Sequence, residues 1–356
     1  MDCCGLRAAE AAAEMYIINM LRGSPLIDKI KYIITTQTNP YKNLALEEFL
    51  LRNVRDNECI LYLWQNERTV VIGKNQNPWK ECRIAELEAD GGRLVRRLSG
   101  GGAVFHDLGN LNFTFCATKE NYDVERQLQV ILEAVKLLGI PAEKTGRNDI
   151  SVEGRKFSGN AFFSDGTHCY HHGTILIKVD MGMLSHYLNV SRDKLVSKGV
   201  DSVRSRVANL TEYDGSLTIE RMEKELLEAF RRVYGQEPEQ IDPAQIDPLE
   251  LDRLEQKFSS WEWLYGKKLD FNYSFGRRFS WGDIDLKLEV DSGMIRDCAV
   301  YSDSLETEIF EKLPAALRGC AFSSRSMTKA LEDMPHEPDT DAMLEDIAGL
   351  IREENI

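Results

Sequence analysis

The chain has 356 residues, 43% hydrophobic and 29% charged, and its 58 acidic against 44 basic side chains give a formal net charge of −14 at pH 7. That much apolar material supports at least one large core and excludes a disordered, collagenous or coiled-coil protein, while the negative charge works against general binding to nucleic acid or an anionic membrane. No apolar run approaches the ~20 residues that cross a bilayer, and the length predicts two domains or one large domain with an appendage.

Residues 1–28 carry acids beside Arg7 and Arg22 and fit neither a transit peptide nor a secretory signal; they read as an N-terminal extension. KYIITT then predicts a strand, and Pro40 opens a helix with Leu44, Phe49, Leu50 and Leu51 at roughly helical spacing. ILYLW and TVVIG predict a strand pair. Pro78 starts a short helix through Ala85, Leu87 and Ala89 that Gly91-Gly92 ends. RLVRRL, a glycine cluster, AVF and the turn HDLGN lead into LNFTFCA, which read as strands joined by a Gly-rich loop and a tight turn. Val124, Leu128, Ile131, Val135 and Leu138 form the apolar stripe of a helix stopped by Gly139. DISVE and KFSGNAFF predict strands joined across Glu153-Gly154, and HHGTILIKV predicts another. SLTIERMEKELLEAFRRVYG is an amphipathic helix with Thr218 as N-cap and Gly235 as stop.

QEPEQIDPAQIDPLE, with three prolines and little apolar text, reads as a linker. The expected domains are therefore 29–240, a linker at 241–250, and 251–356. Beyond the linker, WEWLYG, DFNYSFGRRFSWG, DIDLKLEV and DCAVYSD predict antiparallel strands, followed by helices near 306–319 and 340–352. The fold class is α+β: a large domain on one mixed β-sheet with flanking helices, then a small α+β domain. The eight cysteines (3, 4, 59, 82, 116, 169, 298 and 320) lack CxxC spacing, which predicts buried free thiols and a cytoplasmic location.

RRLSGGGAVFHDLGN, residues 96–110, is the densest unusual text. Glycines pack poorly in a strand, so either something approaches this backbone closely or they form a bulge at a sheet edge. A carboxylate, phosphate or nucleotide would suit, with Arg96, Arg97 and Ser99 adding charge and donors. Walker and dinucleotide spacings are absent. GRNDISVEGRKFSGNAFF, residues 146–163, places Arg147, Asn148 and Asp149 before a strand and Lys156 at the start of the next. A lysine in a cleft can meet a phosphate and a carboxylate together; a solvated hairpin is the plainer alternative. His168, Cys169, His171 and His172 lack the paired motif of a zinc site, and no GxSxG elbow occurs. Lys194, Lys198, Arg204 and Arg206 concentrate positive charge that would suit an acidic partner, or simply form a solvated helix face.

RRLSGGGAVFHDLGN, GRND, RKFSGNAF and HHGTILIKVD, in this order, resemble bacterial lipoate–protein ligase, and SSWEWLYGK, RRFSWG and VYSDSL resemble that family's C-terminal accessory domain. The resemblance implies a catalytic domain of the biotin/lipoate-ligase type. It also implies activation of lipoate by Mg-ATP to lipoyl-AMP, then transfer to a lysine of lipoyl domains of 2-oxoacid dehydrogenase complexes or glycine cleavage H protein. By motif, Arg97, Ser99, Gly102, Ala103, Val104, Phe105 and His106 are implied to contact ATP or the lipoyl-adenylate. Asn148 and Asp149 are implied to hold the adenylate side, Ala161 and His172 to line the pocket, and Lys156 to be the catalytic cation. Mg²⁺ is expected on ATP, with Asp149 as the candidate protein ligand, and a monomer is the default expectation. Octanoyltransferases, biotin ligases, transferases fed with lipoyl-AMP and a non-enzymatic adenylate-binding regulator share parts of this pattern. RKxSG together with the second domain favours full adenylation, and the filled charged positions favour an enzyme.

Overall fold

The computed structural model describes residues 27–145, 149–189, 207–266, 270–354 and 356. Its strands, in chain order, are β1 (Lys29–Ile34), β2 (Glu58–Trp64), β3 (Thr69–Ile72), β4 (Arg93–Arg96), β5 (Val104–His106), β6 (Asn110–Thr118) and β7 (Ala142–Thr145). There follow β8 (Asp149–Val152), β9 (Arg155–Ser164), β10 (His168–Leu176), β11 (Glu239–Gln240), β12 (Tyr273–Arg278), β13 (Asp283–Asp291) and β14 (Met294–Ser302). The chain forms two compact units that interleave in sequence. One is drawn from the chain up to Asn66, Leu108–Val179 and Asp201–Leu254, the other from Glu67–Asp107, Asp180–Val200 and Glu255–Ile356, each within its described residues.

The first unit is built on an eight-stranded mixed sheet in the order β11-β1-β2-β6-β10-β9-β8-β7. β11, β1 and β2 run parallel, and every pairing from β2 onward is antiparallel. One face carries Leu61, Leu63, Phe113, Phe115, Ile150, Val152, Phe157 and Ile175, buried under the helices Val124–Leu137 and Ile219–Tyr234. The second of these helices begins and ends as its sequence predicts: Thr218 accepts a hydrogen bond from Arg221 N, and Gly235 stops the helix at φ 70°. Successive strand residues point to opposite faces. The sheet's other face therefore holds Tyr62, Thr114, His172 and Ala161 in one cross-strand row and Trp64, Asn112 and Thr174 in the next. The helix Pro40–Asn53 lies against this face, Asn43 accepting from Tyr62 and Glu47 from Thr114.

The second unit contains two three-stranded sheets. In one, β3 is central, parallel to β4 and antiparallel to β5, over a core of Val70, Ile72, Leu87, Leu94, Phe105 and Tyr187. In the other, β12, β13 and β14 form an antiparallel meander. The helices Glu308–Leu317, Ser324–Glu332 and Asp341–Glu353 close its core around Leu286, Leu288, Phe310, Leu313 and Ile347.

The α+β class stands as expected, with several local corrections. β2 and β3 are not a pair; they belong to different sheets. The predicted helix from Pro78 is two short helices, Pro78–Glu81 and Ile84–Ala89, separated at Cys82 and Arg83. WEWLYG is not a strand but the helix Trp261–Tyr265, because Ser260 caps it by accepting from Trp263 N. The linker text contains β11, which extends the large sheet, and the start of the helix Pro248–Ser259. Cys59, Cys82, Cys116, Cys169 and Cys298 are buried and free, and Cys320 is half-buried and free. Among the described residues no helix is long and apolar enough to cross a membrane.

Candidate active site

In the first unit, Lys156 owes its position to an irregularity in the hairpin of β8 and β9. Ser151 pairs with Lys156 but Ile150 pairs with Ser158, so Phe157 is an extra residue, a β-bulge. Regular alternation would put Lys156 on the helix-covered face with Ser158 and Asn160. The bulge turns it to the opposite face, shared with Asp149, Gly159 and Ala161. There Lys156 Nζ lies 2.6 Å from Asp149 Oδ1. It also runs over Gly159, where a Cβ would stand 2.7 Å from Nζ and 2.9 Å from Cε. The glycine of the RKxSG motif thus makes room for its lysine.

The segment 207–212 braces this lysine. Ala208 N donates to Lys156 O at 2.9 Å. Arg155 donates to both Glu212 carboxylate oxygens, at 2.7 and 3.2 Å, and to Val207 O. The hydrogen bond from Arg155 holds the Glu212 carboxyl below its ordinary range, and the same bond raises the guanidinium.

His172, buried in the same face, places Nδ1 2.8 Å from Glu47 Oε1. Glu47 Oε1 also accepts from Thr114 Oγ1 at 2.6 Å, and Thr114 Oγ1 accepts from Trp64 Nε1 at 3.1 Å. Glu47 escaped the sequence reading although a signal existed: it stands between Leu44 and Leu51 at spacings of three and four, an acid inside an apolar stripe. His171 points the other way, among Phe113, Phe115 and Phe162, with Nε2 2.8 Å from Asn160 Oδ1. Burial pushes its pKa down to about 3, with His172 adding to the shift. Phe162 therefore lies on the core side, away from Ala161. Among the described residues no group of three His, Cys, Asp or Glu side chains is arranged to hold a metal ion.

The Gly-rich loop belongs to the second unit, and its glycines answer to different demands. A Cβ on Gly100 would stand 2.3 Å from Ser304 O and 2.6 Å from Leu305 O, so the close approach expected at this loop comes, at Gly100, from the chain's own backbone. Gly101 has φ +89° and donates its N–H to Ser304 O at 2.7 Å. Gly102 alone of the three faces open space. Arg97 donates to Ser99 Oγ, Val71 O, Gly100 O and Gly102 O, which fixes the loop's curvature.

Arg96 is held by carbonyls of Gly73, Lys74, Gln76, Trp263 and Leu264, and burial lowers its pKa to about 10. It is a tie within this unit, and Trp263 Nε1 returns a bond to Arg96 O. Ala103 and Val104 are half-buried, Phe105 packs on Tyr187, and His106 pairs with Thr69 across β5 and β3. The structure thus gathers Asp149, Lys156, Ala161 and His172 in the first unit and Arg97, Ser99 and Gly102–His106 in the second. Arg147, Asn148, Lys194, Lys198, Arg204 and Arg206 lie outside the described residues.

Residues 39–231 match the family model of the lipoyl protein ligase A/B catalytic domain, and residues 268–351 match that of the bacterial lipoate protein ligase C-terminus. Lipoate-protein ligase A of Bdellovibrio bacteriovorus is 39% identical over 86% of this chain and 92% of that protein. The chain belongs to the lipoate–protein ligase A family. The Psychrobacter cryohalolentis ligase A is 38% identical over 90% of this chain and 97% of its own. Among solved structures, P. falciparum LipL1 in complex with lipoate superposes with a TM-score of 0.80 at 30% identity, over 91% of this chain and 99% of that one. A bipartite ligase of Thermoplasma acidophilum, studied with its E2 lipoyl domain, gives 0.59 at 27% identity, over 68% and 98%. A lipoate-protein ligase A bound with ATP gives 0.58 at 25% identity, over 67% and 98%. The enzyme is a lipoate–protein ligase with the α+β catalytic fold and C-terminal domain of that family.

Proposed function

We propose that this ligase activates lipoate with ATP on the Lys156 face and passes the acyl group to a protein lysine. The observation that carries the reading is the bulge that turns Lys156 over Gly159 beside Asp149. A carboxylate oxygen attacking the α-phosphorus brings two anions together as pyrophosphate leaves. A fixed cation there stabilises the charge that develops. Lys156 is that cation, Asp149 orients its ammonium, and the Glu47–His172 pair fixes one wall of the acyl pocket beside Ala161. Asn148 adds to the adenylate side, and Arg97, Ser99 and Gly102–His106 contact ATP or the adenylate.

Asp149, a half-exposed carboxylate, suits one of the one or two carboxylates that hold Mg²⁺ beside substrate phosphates and water. Mg²⁺ so held would neutralise phosphate charge. In the second step the acceptor lysine, arriving as the neutral amine, attacks the acyl carbonyl, the acyl–phosphate bond breaks, AMP leaves, and the proton lost from the nitrogen passes to solvent. Lys156 steadies the departing phosphate, with no dedicated base.

The acceptors are lipoyl domains of 2-oxoacid dehydrogenase acyltransferase subunits and glycine cleavage H protein, a reading supported by the E2 lipoyl domain studied with the archaeal relative. The boundary between a catalytic part at 29–240 and an accessory part at 251–356 is supported by the two separate family matches. Buried free thiols support a cytoplasmic enzyme, and a monomer is proposed. ATP–pyrophosphate exchange with lipoate and Mg²⁺, with and without an apo lipoyl domain, tests the sequence of steps. Lipoate-dependent exchange followed by acyl transfer is expected. Transfer only from supplied lipoyl-AMP would replace adenylation by a transferase reading.

A further inference from the structure

Only part of β9 is held by strands on both sides. β10 pairs with it from Asn160 to Ser164 and no nearer to Lys156. On the other side just two pairs, Val152 with Arg155 and Ser151 with Lys156, separate the β8–β9 turn from the bulge. A bulge disrupts the ladder where it falls, and a slip of one residue would return Lys156 to the helix-covered face. The edge of this short stretch that β10 leaves is met instead by the segment 207–208. Val207 forms an isolated parallel bridge with Lys156, and Ala208 N donates to Lys156 O at 2.9 Å.

That segment is tied down by one carboxylate. Glu212 Oε1 accepts from Asn209 N at 2.9 Å, closing the turn, while both Glu212 oxygens accept from Arg155, the residue before Lys156. Arg155 also donates to Val207 O at 2.8 Å. The turn is anchored in its own right: Asn209 accepts from Val179 N at 2.9 Å and donates to Val179 O at 3.0 Å, and Thr211 Oγ1 donates to Ile177 O at 2.8 Å. A two-pronged guanidinium–carboxylate contact fixes direction as well as distance. The end of β10 is thereby joined, through Glu212 and Arg155, to the main chain that aims the lysine.

We propose that Glu212 is a positioning residue for the ligase reaction: acting through Arg155, it holds the bulge in register and keeps Lys156 on the reactive face. The assignment rests on the reading that Lys156 is the cation of the chemistry. The side chains of Arg155 and Glu212 are 34% and 45% exposed, and an exposed ion pair contributes little to global stability. Misplacement of a reacting group by about 1 Å, by contrast, can cost a hundredfold in rate. Loss of Glu212 should therefore appear in kcat, with the fold and lipoate binding kept.

Lipoate-dependent ATP–pyrophosphate exchange by the full chain, with the melting temperature and amide hydrogen exchange across 207–212, tests this. Glu212→Gln is expected to lower kcat by at least about tenfold with KM for lipoate within about twofold, and to speed amide exchange across 207–212 at a nearly native melting temperature. Arg155→Lys, which keeps the charge but not the fork, is expected to do the same and serves if Glu212→Gln does not fold. Arg221→Ala breaks another exposed ion pair of this region, with Asp214 at 2.8 Å, and should leave kcat unchanged. Wild-type kcat in Glu212→Gln would overturn the assignment. So would a loss of kcat with unchanged amide exchange at 207–212, or an equal loss in Arg221→Ala. In an enzyme that only transfers supplied lipoyl-AMP the adenylation reading falls, and the same loss is expected in the transfer rate; its absence there would overturn the role of Glu212.

Discussion

At the scale of single residues, Gly159 is the most economical test of how Lys156 is placed. A Cβ there would meet the far end of a flexible side chain, not backbone. Gly159→Ala should therefore leave the melting temperature nearly unchanged while displacing the ammonium. Misplacement of about 1 Å can cost a hundredfold in rate, and lipoate-dependent exchange should fall by about ten- to a hundredfold. Wild-type exchange in this variant would mean that the lysine's position over Gly159 is immaterial. His171 is a residue whose effect is on stability. In the fold its ring stays neutral down to about 3, from an ordinary 6.5, whereas in the unfolded chain it protonates below about 6.5. The unfolded state binds more protons in that window, so stability should fall as the pH is lowered from 6.5 towards 3 and be level above it. His171→Gln, which keeps a polar partner for Asn160 without titrating, should flatten this dependence in urea melts. An unchanged slope would exclude His171 as its source.

At the scale of elements, the helix Ile219–Tyr234 covers the large sheet's core face and begins at a single side-chain cap. Thr218→Ala should cost about 1 kcal/mol in chemical denaturation without changing acid binding; a loss of binding would tie this helix to the site. Both helix ends were legible in the sequence, because the cap, the apolar stripe and Gly235 agree. The β8–β9 hairpin was legible for the same reason: Glu153 and Gly154 both take positive φ, 51° and 74°, which a two-residue hairpin turn demands. The bulge at Phe157 was not, since no residue type marks it and only the pairing with β8 creates it. Nor was the separation of β2 from β3. Their short connection resembles a hairpin's, yet β2 takes its partners β1 and β6 from distant text. WEWLYG misled because bulky residues at Trp261, Trp263 and Tyr265 alternate as in a strand, while the cap at Ser260 and the stop at Gly266 decide for a helix.

At the scale of the whole molecule, the motif that reads as one Gly-rich ligand loop and the motif that carries the lysine fall in different compact units. Each unit has its own logic. In one, a sheet with a helix-covered core face leaves its opposite face for polar groups; in the other, the loop is shaped by Arg97 and by the backbone of Ser304 and Leu305. The family membership explains why both motifs are present in one chain, and the proposed chemistry gives Lys156 the central part. Single-turnover formation of lipoyl-AMP from lipoate and Mg-ATP, measured for the wild type and for Lys156→Ala, tests that part most directly. A loss of at least about a hundredfold is expected in the variant, the scale on which one electrostatic donor acts, with lipoate still bound in the pocket. Lipoyl-AMP formed by Lys156→Ala at a near-native rate would contradict it.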